Sequence, residues 1–155
     1  MNRLYIKLGF SKFYALIFGL ISTIAGFLFT WDAIGKGWGY LGIYTGSASM
    51  ITAYFFSRII IEKKNRYSDV RLYFTAILVG LFSHWLFWYE IFLLNYIKWK
   101  FFKVYYFSPP YDPLNGLYAA LVSSAVSLLF FGWLAIPFSV WIMFLSNDYR
   151  QKNIR

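Results

Sequence analysis

Four long apolar stretches follow one another along the chain, separated by short polar segments. They cover residues 13–30, 38–61, 72–97 and 114–145. A helix needs about 20 apolar residues to cross a hydrocarbon core of roughly 30 Å, so each stretch is long enough for one crossing. The pattern therefore predicts an all-α integral membrane protein, a four-helix bundle that forms a single domain over residues 1–155.

The first and fourth apolar stretches each have a feature that a simple crossing helix lacks. The first follows the basic residues Arg3, Lys7 and Lys12, as a secretory signal peptide would, but it is longer than the usual apolar region of about 7–15 residues. We therefore interpret it as a retained first helix. The fourth is longer than a straight crossing requires, so we expect it to tilt, to kink near Pro137, or to begin in the headgroup layer.

The composition agrees with a membrane protein. Of the 155 residues, 60% are hydrophobic and 25% are aromatic, whereas a soluble domain is about 45–50% apolar. The chain has no cysteine, which excludes disulfides, thiolate metal sites and a cysteine nucleophile.

The basic residues give the predicted orientation. The chain carries 15 Lys and Arg against 6 Asp and Glu, and these charges flank the apolar stretches, so we read them as membrane anchors and expect no nucleic acid partner. Most lie at the termini and in the middle loop, and the positive-inside rule then places both termini in the cytoplasm. The middle-loop bases would bind anionic lipid or a cytosolic partner protein; they are Arg58, Lys63, Lys64, Arg66 and Arg71.

A stripe of small residues follows the second stretch at steps of three and four. Its members are Gly39, Gly42, Gly46, Ser49 and Ala53. Such a stripe lets two helix backbones approach closely in lipid, where packing drives association. Two interpretations stay open: the stripe packs inside one bundle, or it joins the subunits of a homo-oligomer. We expect a homo-oligomer, because four slim helices have little interior.

Polar residues interrupt the third stretch. Ser83, His84, Glu90 and Asn95 fall on neighbouring faces of a helix and would form one polar strip inside the bundle. We expect Glu90 to be protonated, beside water, or paired with His84, Asn95 or the serines of the fourth stretch. The strip is either an interhelical hydrogen-bond clamp or a proton-linked switch, because histidine can change charge near neutral pH.

The segment after the third stretch mixes lysines with aromatic residues, a composition typical of the headgroup layer. We interpret Lys98, Trp99, Lys100 and Lys103 as an interfacial anchor outside the cytoplasm, or as a surface that senses the membrane or an external protein. Asp112 with Asn115 would then cap or turn the chain into the fourth helix.

Motifs for soluble enzymes are missing from the sequence, including phosphate-binding loops, zinc-protease motifs and nucleophile elbows. We therefore predict no catalytic residues, no metal site and no cofactor. The expected partners are the lipid bilayer, further copies of the chain and a cytosolic effector protein.

In span number, orientation and short basic termini the chain resembles the four-span membrane subunit of the Kiwa anti-phage system, and also the small multispan immunity proteins against pore-forming colicins. The resemblance implies a bacterial inner-membrane protein that acts through protein contacts. We therefore expect an oligomeric sensor or scaffold that couples membrane or external events to a cytosolic partner in anti-phage defence. A small ion or proton channel built around His84 and Glu90 is the alternative, and a colicin-type immunity protein is a further one.

Overall fold

Almost all of the residues that the structure describes are helical, and the others lie at helix ends. A computed structural model describes residues 2–30, 40–62, 68–104 and 110–154. Its elements are α1 (Asn2–Thr30), α2 (Leu41–Phe56), a π-helical turn (Ser57–Glu62), α3 (Asp69–Phe102) and α4 (Pro113–Ile154). The all-helical fold class is thereby confirmed for these ranges.

Within the described residues, three helical segments are long and apolar enough to cross a membrane. They are Gly9–Thr30, Asp69–Phe102 and Pro113–Phe130. The second predicted crossing corresponds to α2, which has 16 residues and continues into the six residues of the π-helical turn. The helices also extend beyond the predicted apolar limits at Phe13, Leu72, Ile97 and Leu145, and α4 runs through Pro137 as one helix.

Local chemistry explains where the helices break and end. Gly9 has a φ of 74° and a ψ of 166°, so it interrupts α1 with a backbone conformation that glycine adopts without steric cost. Lys103 ends α3 in the left-handed region and donates its N–H to the carbonyl of Trp99. Asp112 caps α4, because its Oδ1 accepts the N–H groups of Leu114 and Asn115 at 3.0 and 3.1 Å. This confirms the predicted capping role of Asp112.

The four helices form a ring in which each contacts its two neighbours. α1 packs on α2, α2 on α3, α3 on α4 and α4 on α1, whereas the diagonal pairs make no contact within the described ranges. The pairs α1–α2 and α3–α4 share the largest interfaces, and α1–α4 shares the smallest. The ring is therefore two helical hairpins side by side, joined most weakly between the first and last helices.

The hydrophobic core fills one end of this ring. We call it the closed end; it contains Gly9, Glu62, Asp69 and the last turns of α4. The buried core cluster there consists of Phe10, Phe13, Tyr14, Ala15, Phe18, Ala53, Ile61, Leu72, Ala76, Val79, Ile142 and Met143. The opposite end, with Thr30, Leu41, Phe102 and Pro113, we call the open end.

Candidate functional site

His84 belongs to a hydrogen-bonded cluster between α3 and α4. Its Nδ1 lies 3.2 Å from Oγ of Ser127, and Nε1 of Trp88 donates to the same oxygen at 3.0 Å. The Ser127 hydroxyl is also 3.1 Å from the carbonyl of Ser124. Ser127 accepts from Trp88, and because its hydroxyl carries one proton it donates either to the carbonyl of Ser124, accepting then from a protonated Nδ1 of His84, or to an unprotonated Nδ1 of His84.

Glu90 belongs to a different cluster, between α3 and α2. Its Oε2 accepts a hydrogen bond from Oγ of Ser47 at 2.6 Å. The expectation that Glu90 pairs with His84, Asn95 or serines of the fourth helix was therefore wrong. Glu90 and His84 are six residues apart and point about 120° away from each other around α3, so they meet different neighbouring helices.

The other two members of the predicted strip make no hydrogen bond to another helix within the part of the chain that the structure describes. Oγ of Ser83 donates to the carbonyl of Gly80 in its own helix at 3.0 Å. Asn95 is exposed, near the end of α3. The structure thus divides the predicted strip into two separate clamps, at His84 and at Glu90, and leaves Asn95 outside both.

A cavity of about 610 Å³ lies among the four helices, next to the His84 cluster. This volume is in the range of about 300–1,000 Å³ that is typical of small-molecule sites. All four helices contribute to its wall, which is formed by Phe18, Ser22, Ala25, Gly26, Phe29, Thr30, Leu41, Thr45, Ser49, Ser83, His84, Phe87, Ala135 and Phe138.

The wall of the cavity is largely apolar. The hydroxyls of Thr30 and Ser83 donate to carbonyls of their own helices, and that of Thr45 lies 3.0 Å from the carbonyl of Ser22. His84 is the one ionisable side chain among the lining residues, and its bond to Ser127 uses Nδ1. Such a wall favours an apolar occupant over ordered water, which needs two to four polar partners.

The cavity is sealed toward the closed end and accessible at the open end. Phe18 is 4% exposed, whereas Phe29, which lines the same cavity, is 75% exposed. α4 explains the difference. A side chain at Gly80 would touch Ser139 of α4, but nearer the open end α4 meets α3 where Gly116 lies beside Phe92. Phe92 is about 140° around α3 from Phe87, so α4 leaves the Phe87 face uncovered.

The small-residue stripe of α2 packs against α1 of the same chain. A Cβ at Gly42 would lie 2.6 Å from the ring of Phe27, and a Cβ at Gly26 would lie 2.7 Å from Cα of Gly42. Gly46, Ser49 and Ala53 are buried, and Gly39 lies outside the described residues. The stripe therefore serves packing within the chain at every described position.

Of the predicted middle-loop bases, the structure describes two. The guanidinium of Arg58 lies 5.5 Å from the ring centre of Tyr54 and also donates to its hydroxyl. Arg71 is half-buried in the first turn of α3. Lys63, Lys64 and Arg66 lie outside the described residues.

The predicted interfacial segment is mostly helical. Lys98, Trp99 and Lys100 belong to the last turns of α3, and Lys103 is its C-cap. Nζ of Lys100 lies 5.9 Å from the ring centre of Tyr96, and Nζ of Lys103 lies 5.2 Å from that of Trp99. Lys98 is exposed and makes no hydrogen bond, ion pair or cation–π contact with the described residues.

Sequence reasoning missed a third clamp, at the closed end. The backbone N–H of Ser11 donates to Oε1 of Glu62 at 3.0 Å, just after the break at Gly9. The carboxylate thus satisfies a free donor at the start of the apolar part of α1. Glu62, an acid directly after the second stretch, was the signal in the sequence for this clamp. The sequence does not show which helix end lies beside Glu62.

Comparison with known proteins gives no relative for this chain. No family model matches it, and no curated protein or solved structure does either. Within the described ranges, no three side chains of the His, Cys, Asp or Glu type come close enough to hold a metal ion. Function must therefore be inferred from the cavity, the three hydrogen-bonded clamps and the distribution of charge.

Proposed function

We propose that this chain is a four-span membrane protein, with both termini in the cytoplasm, that works without catalysis as a sensor or scaffold. It would couple the state of the bilayer, or an event at its outer face, to a cytosolic partner. The observation that carries the proposal is the asymmetry of the bundle. The cavity opens at the end that would face outward, and a solid core fills the end that would face the cytoplasm.

The ring arrangement supports a fourth crossing. α2 and its π-helical turn together contain 22 residues and lie between α1 and α3, in contact with both. If α1 and α3 cross the bilayer, α2 must lie at the same depth. A helix of this length rises about 33 Å, which matches the hydrocarbon thickness.

The packing of the closed end favours a scaffold over a conducting path. Between the cavity and the closed end, the described interior consists of aromatic and aliphatic side chains and of hydroxyls, several of which donate to helix carbonyls; the buried hydroxyls of Ser11 and Tyr14 have no partner among the described residues. Examples of hydroxyls that donate to carbonyls are Thr75 to Arg71, Ser139 to Ala76 and Ser146 to Ile142. Hydroxyls committed in this way offer no continuous route for an ion or a proton.

A small ion or proton transporter is the second candidate, because His84 lines the cavity. Purified protein in liposomes separates the two functions. We expect vesicles that stay tight to protons and ions. Flux that is present with the wild type and disappears with His84→Ala would contradict the scaffold and support transport.

The cytosolic partner and the oligomer are further parts of the proposal. Because the α2 stripe packs against α1 within the chain, subunits would meet through other faces. A role of the chain in anti-phage defence stays a prediction from the architectural resemblance, and so does the alternative role as a colicin-type immunity protein.

Charge reversal tests the partner surface with a matched control. We expect that a soluble protein co-purifies from native membranes in a salt-sensitive manner and is lost with Lys63→Glu, Lys64→Glu and Arg66→Glu combined. The control reverses three lysines at the opposite end of α3, at Lys98, Lys100 and Lys103. Equal loss in both variants would show that net charge, and not a cytoplasmic docking surface, holds the partner.

A further inference from the structure

We propose that the cavity among the four helices holds one acyl chain of an anionic glycerophospholipid, and that Lys98 binds the phosphate of its headgroup. The inference rests on the proposed function, because it requires the open end to lie at one face of the bilayer. It names what the proposed sensor would detect: the anionic phospholipid of that leaflet.

The shape and chemistry of the cavity fit an acyl chain. The wall is apolar from Phe18 at its sealed end to Phe29 at its mouth, and its Thr30 and Ser83 hydroxyls are committed to backbone carbonyls. The mouth adjoins lipid-facing side chains, since Leu28 and Phe29 are 69% and 75% exposed. A chain entering there from the surrounding bilayer would pass from one apolar environment to another.

The height of Lys98 fits the headgroup of the same lipid. Ser47 and Glu90 are hydrogen-bonded, so they mark one level in the antiparallel pair α2–α3. Six residues from Ser47 toward the open end is Leu41, which lies at the mouth of the cavity. Six residues from Glu90 in the same direction is Tyr96, so Leu41 and Tyr96 lie at about the same level. Lys98 is two residues further, about 3 Å above the mouth.

The direction of Lys98 also fits. Lys98 follows Phe87 by 11 residues, which places it about 20° from Phe87 around α3, on the face that lines the cavity. Lys100 lies only about 3 Å further along α3 but about 140° from Phe87, and Lys103 is the C-cap, about 7.5 Å further along. They also contact Tyr96 and Trp99, whereas Lys98 has no partner within the described ranges.

Native mass spectrometry of the purified chain, exchanged into mixed micelles with equal amounts of phosphatidylglycerol and phosphatidylcholine, tests this. We expect one retained phosphatidylglycerol per chain in preference to phosphatidylcholine. Lys98→Gln should lower that retention about fivefold, since one base near a membrane surface has about that effect on anionic lipid binding. Lys100→Gln, the matched control, should leave it unchanged.

A second variant tests the cavity independently of the charge. Ala25→Trp places an indole in the cavity and should abolish retention of both lipids. If Ala25→Trp does not give a monodisperse, folded protein, Ala135→Phe fills the cavity from α4 and takes its place in the same experiment. Equal loss with Lys98→Gln and Lys100→Gln would overturn the Lys98 site, and retention unchanged by the filled cavity would overturn the acyl-chain site. Lipid retention is measured without flux or partner, so this inference and the proposed function fail separately.

Discussion

At the scale of single residues, Gly26 and Gly42 bring the backbones of α1 and α2 together. A Cβ at Gly26 would lie 2.7 Å from Cα of Gly42, a backbone atom that no rotamer change can move. We expect Gly26→Ala to lower the free energy of unfolding by about 1–3 kcal/mol, the usual cost of overpacking. The midpoint of thermal unfolding in detergent measures this.

Gly116 provides the matched control for Gly26. A Cβ there would meet Cβ of Phe92 at 3.7 Å, an ordinary van der Waals distance. Gly116→Ala should therefore leave the midpoint unchanged or raise it, because alanine favours a helix by up to about 1 kcal/mol over glycine. A similar loss for both variants would mean that the close approach of α1 and α2 is not what limits stability.

Asp112 gives a pH-dependent prediction at the start of α4. Hydrogen bonds from the backbone and side chain of Asn115, and from the backbone of Leu114, lower the pKa of this exposed carboxyl below its ordinary value. Its contribution to stability is therefore complete above that ordinary value and is lost as the pH falls through the lowered pKa. We expect Asp112→Ala to lower the thermal midpoint at neutral pH, with the difference from wild type disappearing as the pH falls through the lowered pKa. A difference independent of pH would contradict a cap that depends on the ionised carboxylate.

At the scale of elements, the clamp between Glu62 and Ser11 ties the π-helical turn to the break in α1. Gly9 introduces the break, and the carboxylate accepts the free N–H that the break leaves at Ser11. Glu62→Ala should lower the free energy of unfolding by about 1 kcal/mol, as loss of a helix N-cap does. Glu62→Gln should retain most of the stability in the same thermal assay, because its amide oxygen still accepts the hydrogen bond. Equal destabilisation by both substitutions would show that the charge, and not the hydrogen bond, stabilises the break.

The apolar pattern was enough to predict the helices but not their contacts. A stretch that is apolar all around carries no information on which side meets a neighbour, so the pairing of Glu90 with Ser47 could not be read from it. The predicted helices were too short for a related reason. The apolar pattern ends where the helix leaves the lipid core, whereas the backbone hydrogen bonds of the helix continue into polar turns such as Lys98–Phe102. The π-helical turn at Ser57–Glu62 has no signature in composition.

At the scale of the whole molecule, the two hairpins differ in length. The apolar part of α1 has 22 residues, about 33 Å long, whereas α3 has 34 residues, about 51 Å long. Ser47 and Glu90 lie at one level; Glu62 is 15 residues from Ser47 toward the closed end and Asp69 is 21 residues from Glu90, so α3 extends about 9 Å past Glu62 at the closed end.

The orientation of the bundle can be tested in a chain that has no cysteine of its own. Ser68 and Lys100 are both exposed, at opposite ends of α3. We expect Lys100→Cys to react with a membrane-impermeant maleimide in intact cells, and Ser68→Cys to react only after permeabilisation. The reverse pattern would invert the bundle and move the mouth of the cavity to the cytoplasmic leaflet.

The neighbour order of the helices has a consequence for biogenesis. The two largest interfaces join helices that are consecutive in the chain, and the smallest joins the first helix to the last. Contacts that are local in sequence form early, because little loop entropy opposes them. Each hairpin can thus assemble as it leaves the ribosome and enters the bilayer. The seam between α1 and α4 closes last, when lipid already surrounds both hairpins.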